Sequence, residues 1–259
     1  MDLGIDGKRA IVCGGSSGLG RAIGRALSLE GVHVTLVARD EARLADAAGA
    51  IRTAGGPDVQ TLSVDLAEPA QRDTLVGRLT DVDILINNAG GPPVGDYLDF
   101  TRDQWLTALQ TNMLSAIELM NAALPGMRER RFGRIVNVTS HAVKAPIAPL
   151  SLSNGARAGL TGYVSGVAKD VAQDNVTINN LMPGQFETDR LKSNHAYFAE
   201  ARGVTFEEIQ VVAKNEIPAA RFGDPEEFGA YAAFLCSVHA GFVTGQNLMV
   251  DGGQYPGLI

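Results

Sequence analysis

The chain has 259 residues, enough for one large domain or two small ones. Hydrophobic residues make up 45% of it and charged residues 20%, the balance of an ordinary soluble α/β protein. A formal net charge of -7 argues against nucleic acid and against an anionic membrane as partners.

No linker, charge block or repeat divides the sequence, so a single domain over 1–259 is expected. The N-terminal Met1-Asp-Leu-Gly-Ile-Asp-Gly has neither the basic region nor the apolar core of a signal peptide. No apolar run approaches membrane-spanning length. Two cysteines, Cys13 and Cys236, cannot build a disulfide framework and fit a reducing cytoplasm. No metal site is expected.

Ala10 to Cys13 is a short apolar run that reads as a buried strand. Gly14, Gly15, Ser16, Ser17, Gly18 and Gly20 follow, and Leu19, Ala22, Ile23, Ala26 and Leu27 then recur at helical spacing. Strand, glycine turn and helix together offer a helix N-terminus to a phosphate, because the free N–H groups and the helix dipole both favour an anion. Val32 to Ala38 is a second strand, rich in β-branched residues. It ends at Arg39, about 20 residues past the turn, where this fold reads the ribose 2′ position. An acidic residue there would bond the 2′-hydroxyl of NAD. Arg39 suits the 2′-phosphate of NADP, although Asp40 beside it could weaken that site.

A helix is expected over roughly 41–53, striped by Leu44, Ala47, Ala48 and Ile51. A strand over 59–64 precedes Asp65-Leu66, and another helix runs near 69–79. Asp83-Ile-Leu-Ile-Asn-Asn-Ala-Gly90 is an apolar strand running into two amides. Amides at the carboxyl end of a parallel strand face the ligand crevice. One long helix is expected from about 101 to 125, and a second over 152–173 with Leu152, Ala156, Leu160, Val164 and Val167 on one face.

These motifs, in this order, resemble the short-chain dehydrogenase/reductase family over nearly the whole chain. Gly14-x-x-x-Gly18-x-Gly20 matches its cofactor turn, with Cys13 in place of the preceding threonine, and Asn87-Asn88-Ala89-Gly90 matches its second motif. The resemblance implies a Rossmann-type doubly wound parallel sheet in three α/β/α layers. It further implies that Asp65 contacts the adenine and that Asn112 organises a proton-relay water. Ser140 would hydrogen-bond a substrate carbonyl, and Pro183-Gly184-x-x-x-Thr188 would close over the nicotinamide. Asp251-Gly-Gly253 matches the family ending. Strands are then expected over 133–139, 176–181 and 246–250.

One departure stands out. The family carries Tyr-x-x-x-Lys thirteen residues after its serine, and counting from Ser140 reaches Ser153, then Arg157. An aliphatic hydroxyl is a far weaker acid than a phenol of pKa about 10, so Ser153 cannot inherit the acid role unaided. Arg157 keeps the positive charge and can hold the ribose, but does not readily release a proton. His141 is the best available donor by pKa, since histidine titrates near pH 6.5. Lys144 and Asn154 are weaker candidates. Trp105, Met113, Met120 and Met127 read as core or subunit contacts.

The segment 187–217 is polar, with only short helical pieces expected at Asp189-Arg-Leu-Lys and Phe206 to Val212. In the family it is a mobile substrate lid, and His195, Tyr197 and Phe198 could line a pocket there. Asp224-Pro-Glu-Glu-Phe starts a capped helix.

Three functions follow. The first is an NADP(H)-dependent oxidoreductase on a carbonyl or hydroxyl of a small or acyl-type substrate, with a rewired proton relay. The second is a non-redox enzyme on the same scaffold, an isomerase, dehydratase or lyase. The third is a cofactor-binding protein without catalysis. NADP(H) is expected over NAD(H), and the family's habit of pairing through the 101–125 and 152–173 helices implies a homodimer or homotetramer.

Overall fold

The computed structural model describes residues 1–57 and 59–258. Strand β1 (Arg9–Cys13) is buried beyond its first residue. It leads through the glycine turn into helix α1 (Gly18–Leu29), then β2 (His33–Ala38) and α2 (Glu41–Thr53). Asp40 caps α2, its side chain accepting from the Arg43 N–H at 3.0 Å. A cap of this kind is worth about 1 kcal/mol, and it turns the Asp40 carboxylate toward the helix.

Strand β3 (Gln60–Ser63), α3 (Pro69–Val76) and β4 (Ile84–Asn87) come next, then α4 (Arg102–Leu109) and α5 (Ser115–Glu129). The single long helix expected over 101–125 is interrupted here. One π-helical turn, Gln110–Leu114, joins α4 to α5 and carries Asn112. Such turns inside α-helices gather at functional sites. The chain continues through β5 (Gly133–Val138), α6 (Ser151–Val171) and β6 (Val176–Pro183).

The 187–217 segment departs most from expectation. It forms two substantial helices, α7 (Asp189–Arg202) and α8 (Phe206–Asn215), rather than short pieces. Thr188 caps α7, Gly203 ends it in the left-handed conformation, and Thr205 with Glu208 makes a reciprocal capping box on α8. Helix α9 (Pro225–Cys236) starts on Asp224 as the sequence indicates, and β7 (Asn247–Val250) completes the fold.

The seven strands are all parallel, in the order β3-β2-β1-β4-β5-β6-β7. Chain order reverses between β1 and β4, the place where open α/β sheets bind ligands beyond their carboxyl ends. Two apolar cores cover the two faces. One joins the sheet to α1, α2 and α9 through Ile23, Leu27, Leu44, Ile51 and Phe228. The other joins it to α3, α5 and α6 through Leu75, Leu119, Met120, Leu160 and Val164. The fold is therefore the three-layer, doubly wound α/β sheet that the sequence implies. Among the described residues no helix is long and apolar enough to cross a membrane.

A row of amides crosses the sheet interior. Asn87 Nδ2 donates to Asn137 Oδ1 at 2.8 Å, Asn137 Nδ2 to Asn180 Oδ1 at 3.1 Å, and Asn180 Nδ2 to Asn247 Oδ1 at 2.8 Å. These residues face one another in register on β4, β5, β6 and β7.

Candidate active site

A cleft of about 1310 Å³ lies along the carboxyl ends of the strands. It runs from the glycine turn and the end of β2 past β4 and β5 to α7 and α8. Every site residue expected from the sequence lines it, with one exception: Gly14, Ser16, Ser17, Gly18, Leu19, Arg39, Asp65, Leu66, Asn88, Ala89, Gly90, Asn112, Ser140, His141, Ser153, Arg157, Pro183, Gly184 and Thr188. The exception is Gly20, which packs beneath the turn. A Cβ on Gly20 would overlap the Gly14 carbonyl, so this close approach requires glycine. Gly14 itself has φ +61, where a side chain is strained.

At the N-terminus of α1, Ser17 makes no side-chain cap and the first turn holds no acid. The helix thus presents its first N–H groups to the cleft without an internal acceptor, a seat for an anion. At the other end of this arm, Arg39 extends with 78% of its side chain exposed and lies 3.8 Å from Asp65 Oδ2. Asp40, committed to its helix, does not compete for that place.

The deep end of the cleft is a hydrogen-bonded cluster around Arg157, which is 8% exposed. Its Nε donates to Ser153 Oγ at 3.1 Å and Nη1 to the Val138 carbonyl at 2.6 Å. Nη2 donates to Asn112 Oδ1 at 3.0 Å and to the Ala89 carbonyl at 3.4 Å. One side chain therefore ties together the π-helical turn, the end of β5, the loop after β4 and the first turn of α6. Burial, aided by the nearby charge of Arg190, pushes the Arg157 pKa down to about 10, still well above neutrality. Ser140 Oγ accepts from the Ala142 N–H at 3.1 Å.

In both serines an oxygen lone pair is taken by a donor, Ala142 N–H on Ser140 and Arg157 Nε–H on Ser153. Each hydroxyl keeps its own proton for an acceptor in the cleft. Two such donors resemble a site built for negative charge on an oxygen.

His141 lines the cleft, but its Nδ1 lies 3.3 Å from the Pro183 carbonyl. Burial lowers its pKa, against smaller opposing effects of that hydrogen bond and of Asp251. A neutral ring donating Nδ1–H to Pro183 satisfies both facts, and it leaves that proton unavailable to a substrate. Lys144 sits 5.8 Å over the Tyr255 ring, and Asn154 donates to the Ile147 carbonyl. Cys13 is buried and its thiol is pushed up to about 12, so it stays unreactive. Trp105 packs over Gly155, and Met113 over Gly159.

Tyr197, Phe198 and His195 line the cleft from α7. His195 is buried against Phe206 and Phe222, with Nε2 3.1 Å from Gln185 Oε1. The sequence did not single out Arg43 and Arg190, which secure the start of α7. Arg43 pairs with Asp189 at 3.0 Å, and Arg190 Nη2 donates to the Pro92 carbonyl at 2.7 Å. Nothing in local periodicity marks them, because both reach across the cleft to distant segments.

A family model described as enoyl-(acyl carrier protein) reductase matches residues 14–254. The 3-oxoacyl-[acyl-carrier-protein] reductase of Vibrio cholerae is 32% identical over 257 residues, which span 98% of this chain and 99% of the relative. The L-sorbose reductase of Gluconobacter frateurii, solved with NADPH and L-sorbose, superposes with a TM-score of 0.92 at 32% identity, covering 100% of both chains. A 3-oxoacyl (acyl-carrier-protein) reductase from Agrobacterium tumefaciens with NADP bound gives 0.87 at 30% identity, covering 97% of this chain and 96% of that one. With fold, glycine turn and motif order in agreement along the full length, the chain belongs to the short-chain dehydrogenase/reductase family.

Proposed function

We propose that this protein is an NADP(H)-dependent oxidoreductase that interconverts a carbonyl and a hydroxyl on a small or acyl-type substrate, with Ser153 and Arg157 standing where the family has tyrosine and lysine. The residues present fit the dinucleotide. The uncapped N-terminus of α1 over Gly14, Gly18 and Leu19 would hold its pyrophosphate, and a Cβ at Gly20 would collapse that cradle. Arg39 would take the 2′-phosphate, Asp65 and Leu66 would flank the adenine, and Asn88, Ala89, Gly90, Pro183, Gly184 and Thr188 would enclose the rest. When bound, the nicotinamide exchanges a hydride with the substrate carbon. NADPH and NADP in related structures support the same cofactor here.

The observation that carries the reading is the pair of serine hydroxyls whose oxygens are already occupied by Ala142 N–H and Arg157 Nε–H. Both protons are free to bond one carbonyl oxygen. As charge develops on that oxygen, Ser140 and Ser153 donate to it, and the Arg157 guanidinium behind Ser153 stabilises it further. Ser153 passes a proton forward only as it receives one from water in the cleft, because a serine alkoxide is too basic to form by itself. Asn112 fixes the Arg157 fork from the far side. The first turns of α7, tied down through Asp189 and Arg190, make the 187–217 segment the cover of the substrate end. Two free, buried cysteines accord with a reducing cytoplasm.

The test is NADPH oxidation with a panel of ketones. Ser140→Ala is expected to cost about 2.7–4 kcal/mol of transition-state stabilisation, a hundredfold or more. Ser153→Ala, whose place a water can fill, should cost less. NADPH binding without oxidation by any ketone would transfer the protein to the non-redox or non-catalytic class.

A further inference from the structure

Five arginines line the cleft. Arg39 and Arg43 face carboxylates and Arg202 lies over the Phe198 ring, while Arg157 and Arg190 are, among the described residues, paired with no carboxylate and hydrogen-bonded to neutral acceptors. Arg157 donates only to Ser153, Val138, Asn112 and Ala89, all neutral acceptors. Arg190, in the first turn of α7, lays its guanidinium flat against Gly91 and gives one hydrogen bond, to the Pro92 carbonyl. A Cβ at Gly91 would lie 2.9 Å from Nη2 and 3.2 Å from Nε, so the side chain is closely seated there. A guanidinium has five N–H donors, and Arg190, which lines the cleft, gives one hydrogen bond among the described residues.

The acids lining the cleft serve other partners or stand apart. Asp189 holds Arg43, Asp65 faces Arg39, and Asp40 caps α2. Asp103 and Glu216 also line it, and neither forms an ion pair with Arg157 or Arg190. Arg157 and Arg190 line the same cleft. Each guanidinium has only neutral acceptors around it, and an anion in the cleft would supply the missing counter-charge. The dinucleotide's phosphates have their own seat on α1. The planar guanidinium fork matches a carboxylate in two parallel hydrogen bonds.

We infer that the substrate is an oxo acid, its carboxylate received by Arg190 while its carbonyl oxygen lies between Ser140 and Ser153. This rests on the reductase reading above and names the substrate class for that same site.

The experiment measures binding to the enzyme–NADP⁺ complex, where a ketone cannot be reduced. The probes are acetoacetate and 4-oxopentanoate, each against its methyl ester, read by titration calorimetry. The acids should bind about tenfold or more tighter than their esters, the size of one charge-assisted contact. Arg190→Gln should bring that ratio close to one, and Arg190→Lys should keep part of it, since lysine retains the charge without the fork. The NADP⁺ dissociation constant should shift by less than about threefold in both variants, which also reports that they are folded.

Equal binding of acids and esters, or no acid binding at millimolar concentration, overturns the inference. So does a loss confined to NADP⁺ affinity, which would assign Arg190 to the cofactor. NADPH oxidation separates this inference from the reading beneath it. Acids that bind through Arg190 and are never reduced refute the reductase and leave the anion site. Esters reduced as readily as acids do the reverse.

Discussion

Arg157→Lys is the substitution that most directly tests how the deep end of the cleft is held. The guanidinium serves four acceptors in four directions: Ser153 Oγ, the Val138 and Ala89 carbonyls, and Asn112 Oδ1. An ammonium has three protons on one atom, so at least one acceptor loses its donor. Asn112 Oδ1, buried inside the π-helical turn, is the one least able to find another. An orphaned buried acceptor costs about 1–3 kcal/mol. For a chain of this size each kcal/mol moves the melting temperature by roughly 2–4 °C. A fall of about 2–12 °C is expected by calorimetry. The chemistry should change as well. Burial and the neighbouring Arg190 bring the arginine down to about 10. A lysine subject to the same causes falls below its usual value of about 10.4. The variant should then lose its charge at a lower pH than the wild type, and its pH–rate profile should gain an alkaline limb that the wild type lacks. An unchanged melting temperature together with an unchanged profile would refute the idea that Arg157 organises Ser153 and Asn112.

Arg39→Ala should erase most of the preference for NADPH over NADH, a change of roughly tenfold or more in the ratio of dissociation constants by titration calorimetry. Gly20→Ala drives a Cβ into the Gly14 carbonyl, so the thermal stabilisation that NADPH confers should disappear in a thermal-shift assay. His141 and His195 both have pKa values lowered by burial, so the unfolded chain takes up protons first as pH falls below about 6.5. Melting temperature should therefore decline from pH 7 toward pH 5, and the double substitution to glutamine should flatten that decline. Leu106 and Leu114 expose apolar surface on α4 and the π-helical turn, and light scattering at micromolar concentration should give at least a dimer mass.

The sheet was legible because β1, β2 and β4 are apolar or β-branched runs, and because the motifs that place the other strands fall in a fixed order. What escaped the sequence was decided by long-range packing. The π-helical turn at Gln110–Leu114 sits in an unbroken helical pattern, and its extra residue answers to the Arg157 fork from α6. Helix α7 carries too few apolar residues for a periodicity argument, whereas Phe206, Ile209, Val212 and Ala213 recur at helical spacing along α8 and mark it. Their end signals are chemical: Thr188 and Gly203 bracket α7, and Thr205-Phe-Glu-Glu208 is a capping box in plain view. The candidate site was legible as a set of positions, while its wiring was not. That Ser153 and Asn112 share one guanidinium depends on α6 and the π-helical turn meeting in space.

The asparagine row through β4, β5, β6 and β7 has a meaning for how the sheet is assembled. Asn87, Asn137 and Asn180 each give their nitrogen toward β7, so none of the three can rotate without breaking the row. The row ends at Asn87 Oδ1, which has no partner, on the strand that runs into Asn88. Side chains alternate faces along a strand, so a slip of one residue in β5 would turn Asn137 to the opposite face and set Val136 or Val138 in its place. Each amide stranded in hydrocarbon would cost about 1–3 kcal/mol per lost partner. Replacing all four by valine could leave the correct sheet nearly as stable, since apolar packing often equals a satisfied polar pair. What would vanish is the penalty on a misaligned β5: Asn137, flanked by two valines and bonded on both sides, acts as a proofreader of how the central strands pair.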